Sequence, residues 1–263
     1  MPPSTTSDGR PLIAVEGLTV QFGGLTALKN VSTQVARGEI RGIIGPNGAG
    51  KTTFFNAVTR FVPLKAGQVF FDGEDITHRK PHEIAELGII RTFQKRATIG
   101  NLTALENVLT GCHRLMRDVT LWDIAVRSKR FCRSEGEAIR MAHEALEVVG
   151  IPGVADQQAS ELSFGQQTLV EIARALVSKP TLLLLDEPAA GLSAKEHEQV
   201  TQVLRSLPAR HGVALIITDH VIDFVMEVCE KLTVLNFGEK LEEGDAAYIR
   251  NHPGVLEAYF GRG

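Results

Sequence analysis

The sequence predicts an α/β fold, and three features carry that prediction. A glycine-rich loop, GPNGAGKTT at residues 45–53, sits between an apolar β-branched run, IRGII at 40–44, and a segment, KTTFFNAVTR at 51–60, that can continue as a helix. Two short apolar runs, TLLLLD at 181–186 and VALIIT at 213–218, flank a helical stretch, the pattern of buried parallel strands. From about 101 to 178 apolar residues recur at three- and four-residue spacing, which predicts a block of helices set into the α/β core.

The elements follow in order. Residues 12–22 (LIAVEGLTVQF) and 31–35 read as strands joined through a turn at Gly23 and Gly24, and QVFFDGEDI reads as a hairpin around Asp72–Gly73. An antiparallel β subdomain around the glycine-rich loop is therefore expected. A short helix is expected over 81–87 and a strand over 89–93 (IIRTF), ending at Gln94. NLTALENVLTG, EAIRMAHEALEVVG and QQTLVEIARALVSK supply the helical block, and in the last of these Leu169, Ile172, Ala173 and Leu176 share one face. A final strand (KLTVLNF) and a helical tail close the chain. The organisation expected is a disordered lead-in at 1–11 and one domain at 12–263. Its nucleotide-binding core comes from 12–94 and 166–263, with a helical subdomain inserted at 95–165.

Bulk properties exclude several classes. The 263 residues are 43% hydrophobic and 22% charged, ordinary for a globular protein with a real core. A formal net charge of −3 gives no electrostatic reason to bind nucleic acid. Cys112, Cys132 and Cys229 are odd in number and widely spaced, so neither a disulfide framework nor metal-ligand spacing is present. Free, mostly buried thiols in a reducing cytosol are expected. No run approaches the roughly 18 apolar residues of a spanning helix, and the opening MPPSTTSDGRP lacks a hydrophobic signal segment.

The loop at 45–53 has the form G-x-x-x-x-G-K-T of a phosphate cradle. Gly45, Gly48 and Gly50 let the backbone curl around phosphate oxygens at Pro46, so that N–H groups from the rest of the stretch, Asn47, Ala49 and Thr53 included, point inward. Lys51 brings a mobile positive charge to the β- and γ-phosphates, the Thr52 hydroxyl can ligate Mg²⁺, and the helix that follows presents its positive end. TLLLLDEP at 181–188 ends an apolar strand in two carboxylates at the sheet's C-terminal edge. Asp186 is the candidate Mg²⁺-side acid and Glu187 the candidate base for an attacking water. LSFGQQ at 162–167 precedes a helix; Ser163 can bond phosphate or cap that helix, and Gly165 allows close backbone approach.

The set GPNGAGKTT, TFQ, LSFGQQ, LLLLDEP and ITDH, in this order, resembles the ATPase subunit of an ATP-binding-cassette (ABC) transporter over nearly the whole chain. The resemblance implies the P-loop NTPase core, antiparallel β subdomain and inserted helical subdomain of that family, with ATP and Mg²⁺ bound. It implies that two such subunits pair head to tail, so that each ATP lies between the phosphate loop of one and Ser163, Gly165 and Gln166 of the other. It places Gln94 at Mg²⁺ or the water and at the coupling to the membrane partner, His220 at the γ-phosphate, and Phe22 against the adenine. For Phe22 a place in the core is the alternative. Three departures from the family pattern stand out: Phe164 replaces a second signature glycine, Ser193 replaces an aspartate, and Asp219 and Val221 flank the histidine in place of Glu and Asp. None removes a residue needed for phosphate contact, so an active ATPase is expected.

FGGLTALKNV, RTFQ, DEPAAGL, the segment 117–135 and the ending IRNHPGVLEAYFG are similar to the branch that powers branched-chain amino acid import, a branch that also takes up other small polar solutes. That likeness implies integral membrane permeases, a separate substrate-binding protein, a second cassette (a paralogue or another copy), and a peripheral place on the cytoplasmic face of the inner membrane. Phe93, Ile99 and Leu102 either line a groove for a permease helix or belong to the helical core. The alternatives are the ATPase of a lipopolysaccharide-type exporter and a soluble, non-transport cassette.

Overall fold

The computed structural model describes residues 10–92, 98–112 and 128–260. Residues 1–9 of the expected lead-in, Phe93 and Gln94, and 117–127 of the segment before the signature lie outside the described residues.

β1 (Ile13–Phe22) and β2 (Leu25–Val35) form an antiparallel pair around the Gly23–Gly24 turn, with Ile13 opposite Val35 and Phe22 opposite Leu25. β2 starts well before the expected residue 31. Register shifts along the pair and Asn30 at φ 51° break the period-2 pattern, so residues 25–30 do not read as strand. β3 (Ile40–Ile44) runs into the glycine-rich loop and α1 (Lys51–Val58) leaves it. β4 (Ala66–Phe71) and β5 (Glu74–Asp75) make the expected hairpin, and α2 (Pro81–Glu86) and β6 (Ile89–Arg91) follow.

The helices α3 (Ala104–Leu109), α4 (Lys129–Val148) and α5 (Phe164–Leu176) pack on one another. Thr103 caps α3 and Ser163 caps α5, each in a box with the Glu or Gln three residues on. Then come β7 (Leu182–Asp186), α6 (Ala194–His211), β8 (Ala214–Thr218), α7 (Ile222–Val228), β9 (Lys231–Asn236), β10 (Glu239–Asp245), α8 (Ala246–Asn251) and α9 (Pro253–Phe260). β10 is the strand the sequence hides. EKLEEGD is mostly charged and lies at a sheet edge, so it needs no apolar alternation.

The strands form two sheets. One is antiparallel in the order β2-β1-β4-β5; the other is β10-β9-β3-β8-β7-β6, parallel except for β10. β3, β7 and β8 are buried along their whole length, and their alternate residues feed two separate cores. Leu182, Leu184 and Ile216 join Phe54, Phe55 and the apolar face of the antiparallel sheet. Leu183, Leu185, Leu215 and Ile217 join Leu169, Ile172, Ala173, Leu146 and the other helices. Each such side chain contributes about 1.5–3 kcal/mol when fully buried. The large sheet is thereby fixed between two layers, and its C-terminal strand ends carry the glycine-rich loop, the acid pair and His220. Two cysteines, Cys112 and Cys229, are buried as expected, whereas Cys132 on α4 is exposed; none of the three forms a disulfide.

Candidate functional site

β3 delivers the chain to a loop that glycine makes possible. At Gly45 a Cβ would lie 2.1 Å from the Leu235 carbonyl oxygen of β9, too close for any side chain. Ala49 N–H donates to the Pro46 carbonyl at 3.1 Å, and α1 begins on Gly50 as its N-cap. The Lys51 ammonium folds back to donate to the carbonyls of Gly45 at 2.6 Å and Pro46 at 3.0 Å. Burial pushes its pKa down, and Glu187, Asp186 and Asp219 pull in the opposite direction. Asn47, Gly48, Ala49, Gly50, Lys51, Thr52 and Thr53 line a cavity of about 530 Å³ together with Leu25, Thr26, Ala27, Glu187, Phe237 and Gly238.

β7 brings two acids to this place. Asp186 is held on both oxygens: Thr218 Oγ1 donates to Oδ1 at 2.8 Å and an Arg91 guanidinium nitrogen to Oδ2 at 2.9 Å. Both members of that ion pair are buried, with side-chain exposures of 7% for Arg91 and 2% for Asp186. Arg91 also donates to Asn56 Oδ1 at 2.5 Å and lies 5.4 Å from the Phe55 ring centre, so it ties β6 and β7 to α1. Sequence reasoning missed Arg91. The signal was there: one charged residue closing an otherwise apolar strand, IIR.

Glu187 follows with φ 53°, its N–H donating to the Thr218 carbonyl at 2.7 Å. This left-handed turn points the chain away from the sheet and leaves the carboxylate on the cavity wall. His220 Nδ1 lies 3.9 Å from Glu187 Oε2 and 3.6 Å from Asp219 Oδ1. Asp219 is the anchor beneath them, accepting from Ala189 N–H at 2.8 Å and Val221 N–H at 2.9 Å. Burial raises its pKa, against the pull of those N–H groups. Asp219, one of the departures from the family pattern, thus ties the loops after β7 and β8 together, with Val221 contributing only its backbone N–H.

The signature segment is a second centre. Ser163 Oγ accepts from Gln166 N–H at 3.4 Å, and the Gln166 side chain accepts from Ser163 N–H at 3.0 Å. Gly165 N–H donates to Glu196 Oε1 at 2.9 Å. Glu196 also closes the cap of its own helix α6, accepting from Ser193 N–H at 2.8 Å and Ser193 Oγ at 2.6 Å. Hydrogen bonds from Ser163, Ser193 and Gly165 lower its carboxyl from an ordinary 4.5 to about 2. A depressed folded pKa gives stability above the unfolded value that is lost as pH falls toward the folded one. Glu196→Gln keeps the capping box but not the charge, so between pH 5 and about 2 its thermal midpoint should fall less than the wild type's. Two parallel curves of midpoint against pH would contradict this.

The structure brings Lys51, Thr52 and Glu187 to one cavity, with His220 beside Glu187 and Asp186 linked through Thr218 to the same strand ends. Ser163, Gly165 and Gln166 do not line that cavity. Gln94 lies outside the described residues. Phe22, at the end of β1, is 48% exposed and so is not a core residue, and the cavity lining does not include it. Phe237, in the β9–β10 turn, is 89% exposed and does line the cavity; nothing in its sequence context singled it out. Of the two described groove candidates, Ile99 is exposed and Leu102 half-buried.

Comparisons with known proteins agree with this geometry. The family profile described as ABC transporter matches residues 28–190. The chain is 39% identical over 252 residues to the high-affinity branched-chain amino acid transport ATP-binding protein BraF of Pseudomonas aeruginosa, covering 96% of this chain and 98% of that protein. It is 36% identical to LivG of Escherichia coli, a protein of the same description, with the same coverage. Among solved structures it is similar to the ADP conformation of an ATP-binding cassette of an ABC transporter, with a TM-score of 0.83, 32% identity, and 96% and 100% of the two chains covered. It is also similar to a cassette solved as a dimer in a post-hydrolysis state with ADP and Pi, with a TM-score of 0.73, 28% identity, and 89% and 98% covered. A glycine-rich loop, an acid pair and a capped signature helix on a sheet of this order, matched by relatives along the chain's length, lead to one conclusion: the chain belongs to the ABC transporter family, as an ATP-hydrolysing cassette subunit.

Proposed function

We propose that this cassette powers import of branched-chain amino acids or related small polar solutes, working as one of a head-to-tail pair of cassettes on the cytoplasmic face of a membrane, beneath integral permeases and a substrate-binding protein. The likeness to BraF and LivG along almost the full chain supports the substrate class and the membrane partners. No described helix is long and apolar enough to cross a membrane, which fits a peripheral place. One observation carries the paired mechanism: the signature residues Ser163, Gly165 and Gln166 are absent from the lining of the cavity at their own phosphate loop. A second cassette can bring such a triplet to it.

In this reading ATP lies along the glycine-rich loop, and Lys51 exchanges the Gly45 and Pro46 carbonyls for phosphate oxygens. The oxygen donors fit a hard divalent cation, with Thr52 exposed at the start of α1 and Asp186 held by Thr218 and Arg91. Bound there, Mg²⁺ would neutralise charge on the β- and γ-phosphates. Glu187 takes a proton from the water whose oxygen attacks the γ-phosphorus, the bond from that phosphorus to the bridging oxygen breaks, and ADP departs. His220, beside Glu187, holds the γ-phosphate, and the partner's signature helix offers its N-terminal donors from the other side. Phe22 is proposed as the adenine platform and Gln94 as the contact to the water and permease.

Two measurements test the reading. Specific ATPase activity of the chain, without its permeases, should fall on dilution as pairs dissociate; full activity in a preparation that light scattering shows to be monomeric would sink the paired site. Reconstituted with its permeases, the cassette should hydrolyse ATP faster when a leucine-, isoleucine- or valine-loaded binding protein is added, and no response to any of them would remove the substrate assignment.

A further inference from the structure

Glu196 is a carboxylate that the hydrolytic scheme does not use, yet it holds the groups that scheme needs. Its Oε1 accepts Gly165 N–H at 2.9 Å, and the nearby Ser163 side chain helps hold the same carboxylate in its charged form. We infer that Glu196 is a positioning residue of the signature half-site: it holds the Gly165 N–H, next to Ser163, on its own carboxylate, and the γ-phosphate of the ATP held by the facing cassette must displace it before the pair can close. The inference rests on the proposed reading that gives those two donors to the γ-phosphate across the interface.

Three observations carry it. The first is the identity of the donors. An N–H group has one hydrogen to give, so the bond at 2.9 Å to Glu196 and a bond to a phosphate oxygen are alternatives. The two anions also repel at such range, so they cannot share the helix end.

The second is the fit at Gly165. A Cβ there would lie 2.6 Å from Glu196 Cβ and 2.7 Å from Glu196 Cγ, so the glutamate stem lies flush on the end of α5 only because residue 165 is glycine. The third is Ser193. Its hydroxyl donates to Glu196 Oε2 at 2.6 Å and its N–H at 2.8 Å, which locks the carboxylate between the N-termini of two long helices. An aspartate at 193, the residue in the family pattern, would keep the N–H bond, but its side chain has no hydrogen to donate and would repel Glu196. The serine and the glutamate therefore belong together, and the departure at 193 has a role.

Closure is then an exchange of one anion for another. ATP supplies a γ-phosphate able to take the two donors. ADP supplies none, so Glu196 returns to its seat once phosphate leaves and the open state is restored.

The test uses the assembled transporter carrying Glu187→Gln, with radiolabelled ATP retained in the closed pair as the readout. Glu196→Gln keeps the α6 capping box but replaces a charged acceptor with a neutral one, so half-maximal retention should need about fivefold to tenfold less ATP. Ser193→Asp, which still caps α6, should shift the requirement in the same direction. In the isolated chain, Glu196→Gln should speed hydrogen exchange at the Gly165 amide. Loss of a merely structural contact would raise the ATP requirement instead. An unchanged or raised requirement in Glu196→Gln, or an unchanged Gly165 exchange rate, overturns the inference. Ser163→Arg separates the two levels. If it fails to block retention, the cross-interface reading is wrong; if it blocks retention while Glu196→Gln gives no gain, only the role of Glu196 falls.

Discussion

Glu187→Gln is expected to lower ATP turnover by roughly 10²–10⁴-fold, the usual cost of removing a general base, while ATP still binds and draws two cassettes together. The substitution is close to isosteric. The residue's placement rests on its backbone, with φ 53° and N–H bonded to the Thr218 carbonyl at 2.7 Å, and neither depends on the charge of the side chain. What changes is a carboxylate on the cavity wall beside His220, the proposed acceptor of the proton from water. Binding and chemistry should therefore separate, with nucleotide affinity kept and kcat lost. A variant with normal kcat would assign the base elsewhere; one unable to bind ATP would show that Glu187 supports the pocket and not the reaction.

The second large effect is structural. Arg91→Met leaves Asp186 buried without its cation, and breaking such a pair costs about 3–5 kcal/mol. For a chain of this size that amounts to a thermal midpoint lower by roughly 6–20 °C. The same variant loses the bond to Asn56 and the contact with the Phe55 ring, both on the helix behind the phosphate loop. Differential scanning calorimetry of Arg91→Met, Asp186→Leu and the double variant checks the account. The double variant should lose less than the sum of the singles, because no unpaired charge remains inside; strict additivity would mean that the two side chains do not depend on each other.

Much of this was legible because the apolar pattern and the motifs reinforce one another. TLLLLD and VALIIT read as buried strands since both of their faces are covered, one by helices and one by the antiparallel sheet. The glycine-rich loop was legible because few residue types fit where the backbone passes 2.1 Å from a would-be Cβ. What stayed hidden depends on partners far along the chain. β10 is charged and is held by pairing with β9. The early half of β2 is masked by bulges. Arg91 acquires its meaning from Asp186, 95 residues later, and Glu196 from Gly165, 31 residues earlier. Phe237 stands out only once the β9–β10 turn is set beside the phosphate loop.

The two carboxylate oxygens of Asp219 fasten Ala189, past the end of β7, to Val221, past the end of β8. Glu187 and His220 ride on these fastened segments, so a backbone shift of one is passed to the other. The Glu187 carboxylate and the neighbouring His220 imidazole are thereby carried on one joined piece of backbone, and what varies through a working cycle is the cargo placed between that piece and whatever faces it.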